Sequence, residues 1–567
     1  MTDFEIKARD LGARIGLLKT PHGIIETPTI LPVINPNQQL IKPDEMEKFG
    51  AQAIITNSYI LWKNHQEEVI ARGVHNFFNY SKPIMTDSGA FQLMEYGDID
   101  VTNEQIIDFQ KRIGVDIGVI LDIPTKIQYK QLIEKNVNET IERAKQSQKL
   151  IDNERLWCGP IQGGKYLDLL IKSSREMSKL NFNIHPIGSV VPLLVKYDYS
   201  SLIEIIKTVK ENIPENRPVH LFGAGHPMFF AMAVAMGVDL FDSAAYALYA
   251  KDKRYLTQTG TLKLDEMTHL PCSCPACIGK TPKQMTYKDL AEHNLYVTFN
   301  EIKLIKEHIK QGTLFELIEQ RAAAHPELYK AMKTLTSQTS LKYLEKKDKL
   351  TKSHFFVSTE FSTKQPLVER TEKMLTNVPS NDYFSHEIFG RVPKTILECY
   401  PFSHSTTGET KYPKVKNNFE KIKDVSLYWF GVNIFDEQCK IRVSPKTHKI
   451  REVHKKGKLL ATFRASDFKI LLHEGAVILF EKSKDMQFKV KVRNDVSDFI
   501  LDGKSVFAKH VIDADEDIIP GQEVLVVNED NKLLASGEAL LNKKEMFDFE
   551  KGVAVKIRWR NKKESKA

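Results

Sequence analysis

From about residue 50 to residue 250 one pattern recurs: a short apolar run rich in β-branched residues, a polar or glycine-containing turn, then a stretch of helical spacing. The runs read AQAIITNS, KPIMTDSGAF, VDIGVILDIP, RLWCGPIQGG, FNIHPIGSVV, PVHLFGAGH and VDLFDSAAY. Between them, segments such as TNEQIIDFQKRIG and MFFAMAVAMG space their apolar residues by three and four, as helices do. Repeated strand-then-helix units imply a parallel sheet covered by helices. Seven such units, with room for an eighth near the N-terminus, predict a closed (β/α)8 barrel. An open doubly wound sheet would need a glycine-rich phosphate turn after its first strand, and no GxGxxG occurs.

Polar residues in these runs gather at one end. Asp87, Asp122, Gln162, Gly188, Gly223 and Asp242 all stand at or just after the C-terminal end of an apolar run. In a barrel those ends converge on one face, where active sites of this fold lie. Any one of them could be a turn former, and Asp242 could merely cap a turn. Six at equivalent positions predict a shared pocket instead.

Beyond residue 300 the pattern changes. FNEIKLIKEHIKQGTLFELIEQRAAAHPELYKAMKTL is helical, and SLKYLEKKDKLTKSH reads as a charged, solvated edge of the barrel unit. SPKTHKIREVHKKGKLL reads as a solvated hairpin. From about residue 493 short strands alternate with turns, including Pro520-Gly521 and the acidic turn Asn528 to Asn531, and the chain closes on the basic KIRWRNKK. The expected division is a barrel domain over 1–345, accessory α+β domains over 346–420 and 421–492, and a β-rich module over 493–567.

Composition narrows the class. Charged residues make up 27% and hydrophobic ones 42% of 567 residues, which is globular protein of three or four domains rather than disorder. The opening residues lack a basic start followed by an apolar stretch, and no run of about eighteen apolar residues occurs, so the expected location is the cytoplasm, away from membranes. A net charge of +8 permits nucleic-acid binding without requiring it.

Three of the six cysteines form CSCPACIGK, with Cys272, Cys274 and Cys277 spaced C-x-C-x2-C. In a reducing compartment this spacing points to one bound ion rather than a bridge. Zinc prefers four ligands in a tetrahedron, so a fourth must come from elsewhere. His293 in AEHNLY is favoured, with His269 as the alternative across the stiff Pro271. Four protein ligands leave no open position, so one Zn2+ per chain would be structural.

These motifs, MTDSGAFQ, LDIPT, GPIQGG, LFDSAAYALYAKD and CSCPAC…HNL, together resemble the tRNA-guanine transglycosylases of the archaeal type over roughly the first 345 residues. VFAKHVIDADEDIIPGQEVLVVNEDNKLLASGEALL…GVAVKIRW resembles the PUA RNA-binding module of that type. The resemblance implies an exchange of guanine 15 in the D-arm of tRNA for 7-cyano-7-deazaguanine (preQ0), without ATP, in archaeosine biosynthesis. Asp242 matches the family's nucleophile, Asp87 its general acid/base, and Phe91 the aromatic that stacks on the base. Asp122 and Gln162 match readers of the base edge, and Gly188, Ser189, Val190 and Val191 the turn that meets its substituent. Partners implied are tRNA, free guanine and preQ0, and a second copy of the chain in a homodimer. Bacterial members carry a Gly-Gly-Leu-Ala type turn where this chain has GSVV, and the family's usual gap before the last zinc ligand is longer than the one from Cys277 to His293.

The residue types suit that chemistry. Exchange with retention at C1′ takes two displacements, hence one carboxylate on the far face of the sugar and one proton shuttle beside the base. The base must leave the stack first, and a carboxylate reads a purine edge that presents donors. The basic strand around Trp559 would supply phosphate contacts. Competing readings are a barrel hydrolase with catalytic zinc, an inactive tRNA-binding subunit, and an archaeosine-synthase-like paralogue acting after insertion. The first lacks ligands inside the barrel, and both candidate aspartates argue against the others.

Overall fold

The recurring apolar runs are the strands of a parallel barrel. Eight of them, β4 (Thr29–Ile34), β5 (Ile54–Asn57), β6 (Ile84–Asp87), β7 (Ile117–Val119), β8 (Leu156–Cys158), β9 (His185–Ile187), β10 (Val219–Leu221) and β11 (Leu240–Ser243), form one sheet in the order β8-β7-β6-β5-β4-β11-β10-β9. Parallel bridges Cys158–Ile184 and Ile161–Ile187 join β8 to β9 and close the ring. The eighth strand is the N-terminal one, β4, in TILPVI. The computed structural model describes residues 3–90, 101–124, 129–404, 415 and 417–561. Its chain divides into two units, Met1–Lys310 with Leu317–Ser337, and Gln311–Glu316 with Gln338–Ala567.

Helices follow the strands because the sequence switches period between capping residues. The helix Asn103–Ile113 shows how. Thr102 Oγ1 accepts from Gln105 N, while Gln105 Oε1 accepts from Thr102 N at 2.8 Å, a reciprocal cap on the first turn. Ile106, Phe109, Gln110 and Ile113 bury one face, and Gly114 at φ 75° ends the helix in the left-handed region. Phe230–Ala235, from MFFAMAVAMG, differs from expectation: all six residues are buried, so it has no polar face. It lies in the first unit's interior, where an apolar residue fits at every position.

The barrel's N-terminal end is covered by an antiparallel meander of β1 (Phe4–Asp10), β2 (Ala13–Thr20) and β3 (Gly23–Thr27). Aspartates just before strands hold it there. Asp239 takes Arg14 Nε and Nη2 at 2.8 Å each and accepts from Val219 N. Asp116 accepts from His22 N and Ile84 N at 2.8 Å. Carboxylates before the strands therefore brace the fold, and those after them are free for chemistry.

In the second unit, β14 (Tyr383–His386) pairs with β15 (Gly390–Pro393), and β16 (Lys440–Val443), β17 (Ile450–Lys455), β18 (Lys458–Phe463) and β19 (Ile470–Leu472) form a four-stranded sheet, with the expected hairpin at β17–β18. A six-stranded sheet, β21-β25-β24-β23-β20-β22, is built from β20 (Lys489–Val492), β21 (Val506–Phe507), β22 (Val511–Ala514), β23 (Glu523–Val527), β24 (Leu533–Ala539) and β25 (Val553–Arg560). Its tight turns use Gly521 at φ 91° and Asn531 at φ 58°. Val392, Ile422, Val453, Leu525 and Leu533 meet in one apolar core. Gln338–Glu345 also belongs to this unit, with Leu341 and Leu344 buried, and is not a solvated edge of the barrel. Its leucines, three residues apart, make an inward stripe that the surrounding lysines mask in the sequence.

Candidate active site

The C-terminal ends of the strands surround a cavity of about 700 Å³. All six polar strand ends expected to share a pocket, Asp87, Asp122, Gln162, Gly188, Gly223 and Asp242, line it. So do Ser189 and Val191, whereas Val190 is buried and its side chain does not reach the lining. Ser243, Ala244 and Ala245 line the wall beside Asp242, and their small side chains leave room there. Phe91 lies outside the described residues.

Asp87 ends β6. Its Oδ1 accepts from Asn57 Nδ2 at 2.7 Å and from Gly89 N at 2.8 Å. Asn57 ends the neighbouring strand β5 and is paired with Asp87 in register. Burial pushes the Asp87 carboxyl up to about 7, aided by the charges of Asp242 and Asp122 and opposed by these two hydrogen bonds. A carboxyl that titrates near neutrality both gives and takes a proton, as a general acid/base must.

Asp122, Gln162 and Ser189 form a hydrogen-bonded chain. Ser189 Oγ donates to Gln162 Oε1 at 2.6 Å, and Gln162 Nε2 donates to Asp122 Oδ2 at 2.5 Å. Burial raises the Asp122 carboxyl to about 6, against the hydrogen bond from Gln162. Gly188 makes this approach feasible, since a Cβ there would lie 2.2 Å from Gln162 Nε2. Ionised, Asp122 presents acceptors only, and the chain fixes where they point.

Asp242 ends β11. Its Oδ1 accepts from His220 Nε2 at 3.0 Å and from Gly223 N at 2.9 Å. Oδ2 takes no hydrogen bond from any described residue. One oxygen is thus held while the other is left without a donor among the described residues, and an unbound oxygen is what an attacking carboxylate needs. His220 and Asn57 were missed in the sequence. Each hides in an apolar run, and its signal was a polar side chain within or ending a barrel strand.

The cysteine cluster forms around His293, not His269. One donor atom from each of Cys272, Cys274, Cys277 and His293 lies within 4.8 Å of the others. His269 is exposed and bonded to Thr268. His293 Nε2 lies 2.9 Å from Leu256 O, which fixes the proton there and leaves the Nδ1 lone pair for the thiols, 3.3 Å from Cys277 Sγ. Three thiols and an oriented imidazole fit a metal ion, and with four protein donors the site is closed.

The basic C-terminal strand is less free than its composition implied. Trp559 packs against the second unit's core, and Arg558 is paired with Glu523 and Glu538. Lys556 remains exposed.

Fold and site together define an enzyme of the (β/α)8 barrel class, with carboxylates gathered at the C-terminal face of its strands. Known proteins narrow the class. The family described as queuine tRNA-ribosyltransferase matches residues 10–327, the patch-forming domain C2 of tRNA-guanine transglycosylase residues 420–485, and the PUA domain residues 488–559. Proteins named tRNA-guanine(15) transglycosylase from Thermococcus onnurineus and Thermococcus kodakarensis are each 44% identical, with 98% of each chain covered. That of Methanocaldococcus jannaschii is 41% identical over 98% of this chain and 99% of its own. The chain belongs to the tRNA-guanine transglycosylase family and is a transferase.

Proposed function

We propose that the protein exchanges guanine 15 of tRNA for preQ0 through a covalent ester on Asp242, as a step of archaeosine biosynthesis. The observation that carries this reading is the pair of unlike carboxylates on one cavity. Asp87 is pushed up to about 7, and Asp242 is held through one oxygen with the other open.

Asp242 Oδ2 attacks C1′ as the C1′–N9 bond breaks, and Asp87 gives its proton to the departing guanine. The incoming base then returns a proton to Asp87 and attacks C1′, expelling Asp242. Two inversions give net retention. Asp122 and Gln162 read the base edge, with Phe91 stacking on the base. The turn Gly188-Ser189-Val190-Val191 carries no carboxylate to pair with a cationic aminomethyl group, which favours the neutral nitrile of preQ0 over preQ1.

Cys272, Cys274, Cys277 and His293 would hold Zn2+, which a thiolate-rich set of four donors favours. It serves the fold and takes no part in the exchange. The PUA domain anchors tRNA through phosphates, and the enzyme works as a homodimer in the cytoplasm, where its tRNA substrate is. Among the described residues no helix is long and apolar enough to cross a membrane.

Radiolabelled guanine exchange into an unmodified tRNA transcript, followed by chase with preQ0 or preQ1, tests the reading. Exchange with preferential chase by preQ0 is expected. No exchange would overturn the reading, and preferred preQ1 would overturn the substrate.

A further inference from the structure

We propose that Arg254 is the phosphate-binding cation of the barrel cavity and takes the phosphodiester beside the nucleotide being exchanged. This rests on the tRNA base-exchange reading. The cavity is lined by three carboxylates, Asp87, Asp122 and Asp242, and Arg254 is the one lysine or arginine among its described lining residues. A polyanion drawn toward carboxylates needs a local positive charge, and Arg254 supplies it.

Its geometry is that of a guanidinium set to receive an anion. The group stacks on Tyr249, 3.6 Å from the ring centroid, which fixes its plane. Nη2 meets Asp252 at 3.2 Å, a pair whose carboxylate is 60% exposed and so readily exchanged. Nε is buried and has no hydrogen-bond partner among the described residues. The side chain is nonetheless 39% exposed, so the outer edge of the guanidinium presents charged N–H groups that suit phosphate oxygens.

The strand beneath Arg254 is held firmly. Arg254 lies on β12 (Arg254–Leu256), paired with β13 (Thr261–Lys263). Asn294 donates to Arg254 O at 3.2 Å and accepts from Leu256 N at 3.0 Å. The adjacent residue His293, in the metal cluster, bonds Leu256 O and stacks 3.6 Å from Tyr255. Arg254 is thereby presented in one place before RNA arrives. Exposed Val195, Tyr197 and Leu248 line the same cavity and offer apolar surface to an unstacked nucleotide.

The test is guanine exchange into a tRNA transcript across a KCl series, with the full chain and its Arg254→Ala, Arg254→Gln and Arg254→Lys variants, and tRNA binding measured in parallel. Arg254→Ala is expected to lower kcat/KM for tRNA by roughly 10–100-fold, with KM for guanine unchanged. The log–log salt slope of tRNA binding should become shallower by about 0.7–0.9, one phosphate contact. Arg254→Lys should regain the slope but only part of the affinity, having no fork. If the alanine variant does not fold, Arg254→Gln carries the same comparison. A wild-type salt slope and wild-type KM for tRNA in the folded neutral variant would overturn the proposal, as would an effect confined to KM for guanine. An Arg254-dependent slope in a wild type that exchanges no guanine would support the proposal and refute the exchange reading alone.

Discussion

His220 Nε2 lies 3.0 Å from Asp242 Oδ1, joining the middle of β10 to the end of β11 inside the barrel. The bond assigns the proton to Nε2, and it leaves Nδ1 buried without a partner among the described residues. His220 therefore spends its one donor on aiming Asp242. Replacing it by Phe should reduce kcat by about 10²-fold, the scale of a small misplacement, with tRNA affinity unchanged. His220→Gln, which restores an N–H, should recover part of the rate. Equal loss in both variants, or a change in tRNA KM alone, would show that His220 only fills space.

Asp242→Asn should fold, keep its metal and bind tRNA, yet lose exchange almost completely, because an amide cannot form the ester. Enzyme denatured after reaction with tRNA, guanine being absent, should retain RNA on a peptide containing Asp242. An adduct on Asp87 would reverse the two roles.

Asp87 makes stability fall as pH rises. Its folded-state carboxyl is raised from the ordinary 3.8 to about 7, so between about pH 4 and 7 the folded chain holds a proton that the unfolded chain has lost. Asp87→Asn removes that liability and keeps an oxygen for Asn57 and Gly89. At pH 8 the variant should melt no lower than the wild type, the difference vanishing toward pH 4, while exchange slows by about 10²–10⁴-fold. A variant less stable at pH 8 than at pH 4, relative to wild type, would contradict the raised value.

Removing the metal should loosen the strand that carries Arg254, since His293 and Tyr255 link the two. Chelation or Cys274→Ser should lower the melting temperature. Structural zinc is worth about 10–16 kcal/mol in small peptides, and less is expected on a large folded domain. Metal analysis should give one zinc per chain, and its absence would end the idea.

The basic residues of β25 should separate by role. Arg558 neutralises Glu523, which is 1% exposed, so Arg558→Ala should cost about 1–3 kcal/mol in stability. Exposed Lys556→Ala should leave stability alone and make the salt dependence of tRNA binding shallower. Point variants suit this question better than truncation, because Leu525, Val527 and Leu533 are part of the second unit's core.

The barrel, its polar face and its cysteine cluster are legible in the order of residues alone. Those are local signals: an apolar run ending in Asp87 or Asp242, a repeat of strand then helix, and thiols at C-x-C-x2-C. Tertiary structure decided what each side chain meets. Barrel closure sets Asn57 against Asp87 and His220 against Asp242, pairs 30 and 22 residues apart that no periodicity announces. Folding of the helix Tyr287–Gln311 onto β12 chose His293 over His269, although His269 lies nearer the cysteines along the chain. Burial, absent from a sequence, raised Asp87 toward neutrality, and pairing with Glu523 took Arg558 out of the basic surface that its neighbours suggested. Chemistry at this site depends on such cross-strand contacts and on desolvation, and both exist only once the chain has closed on itself.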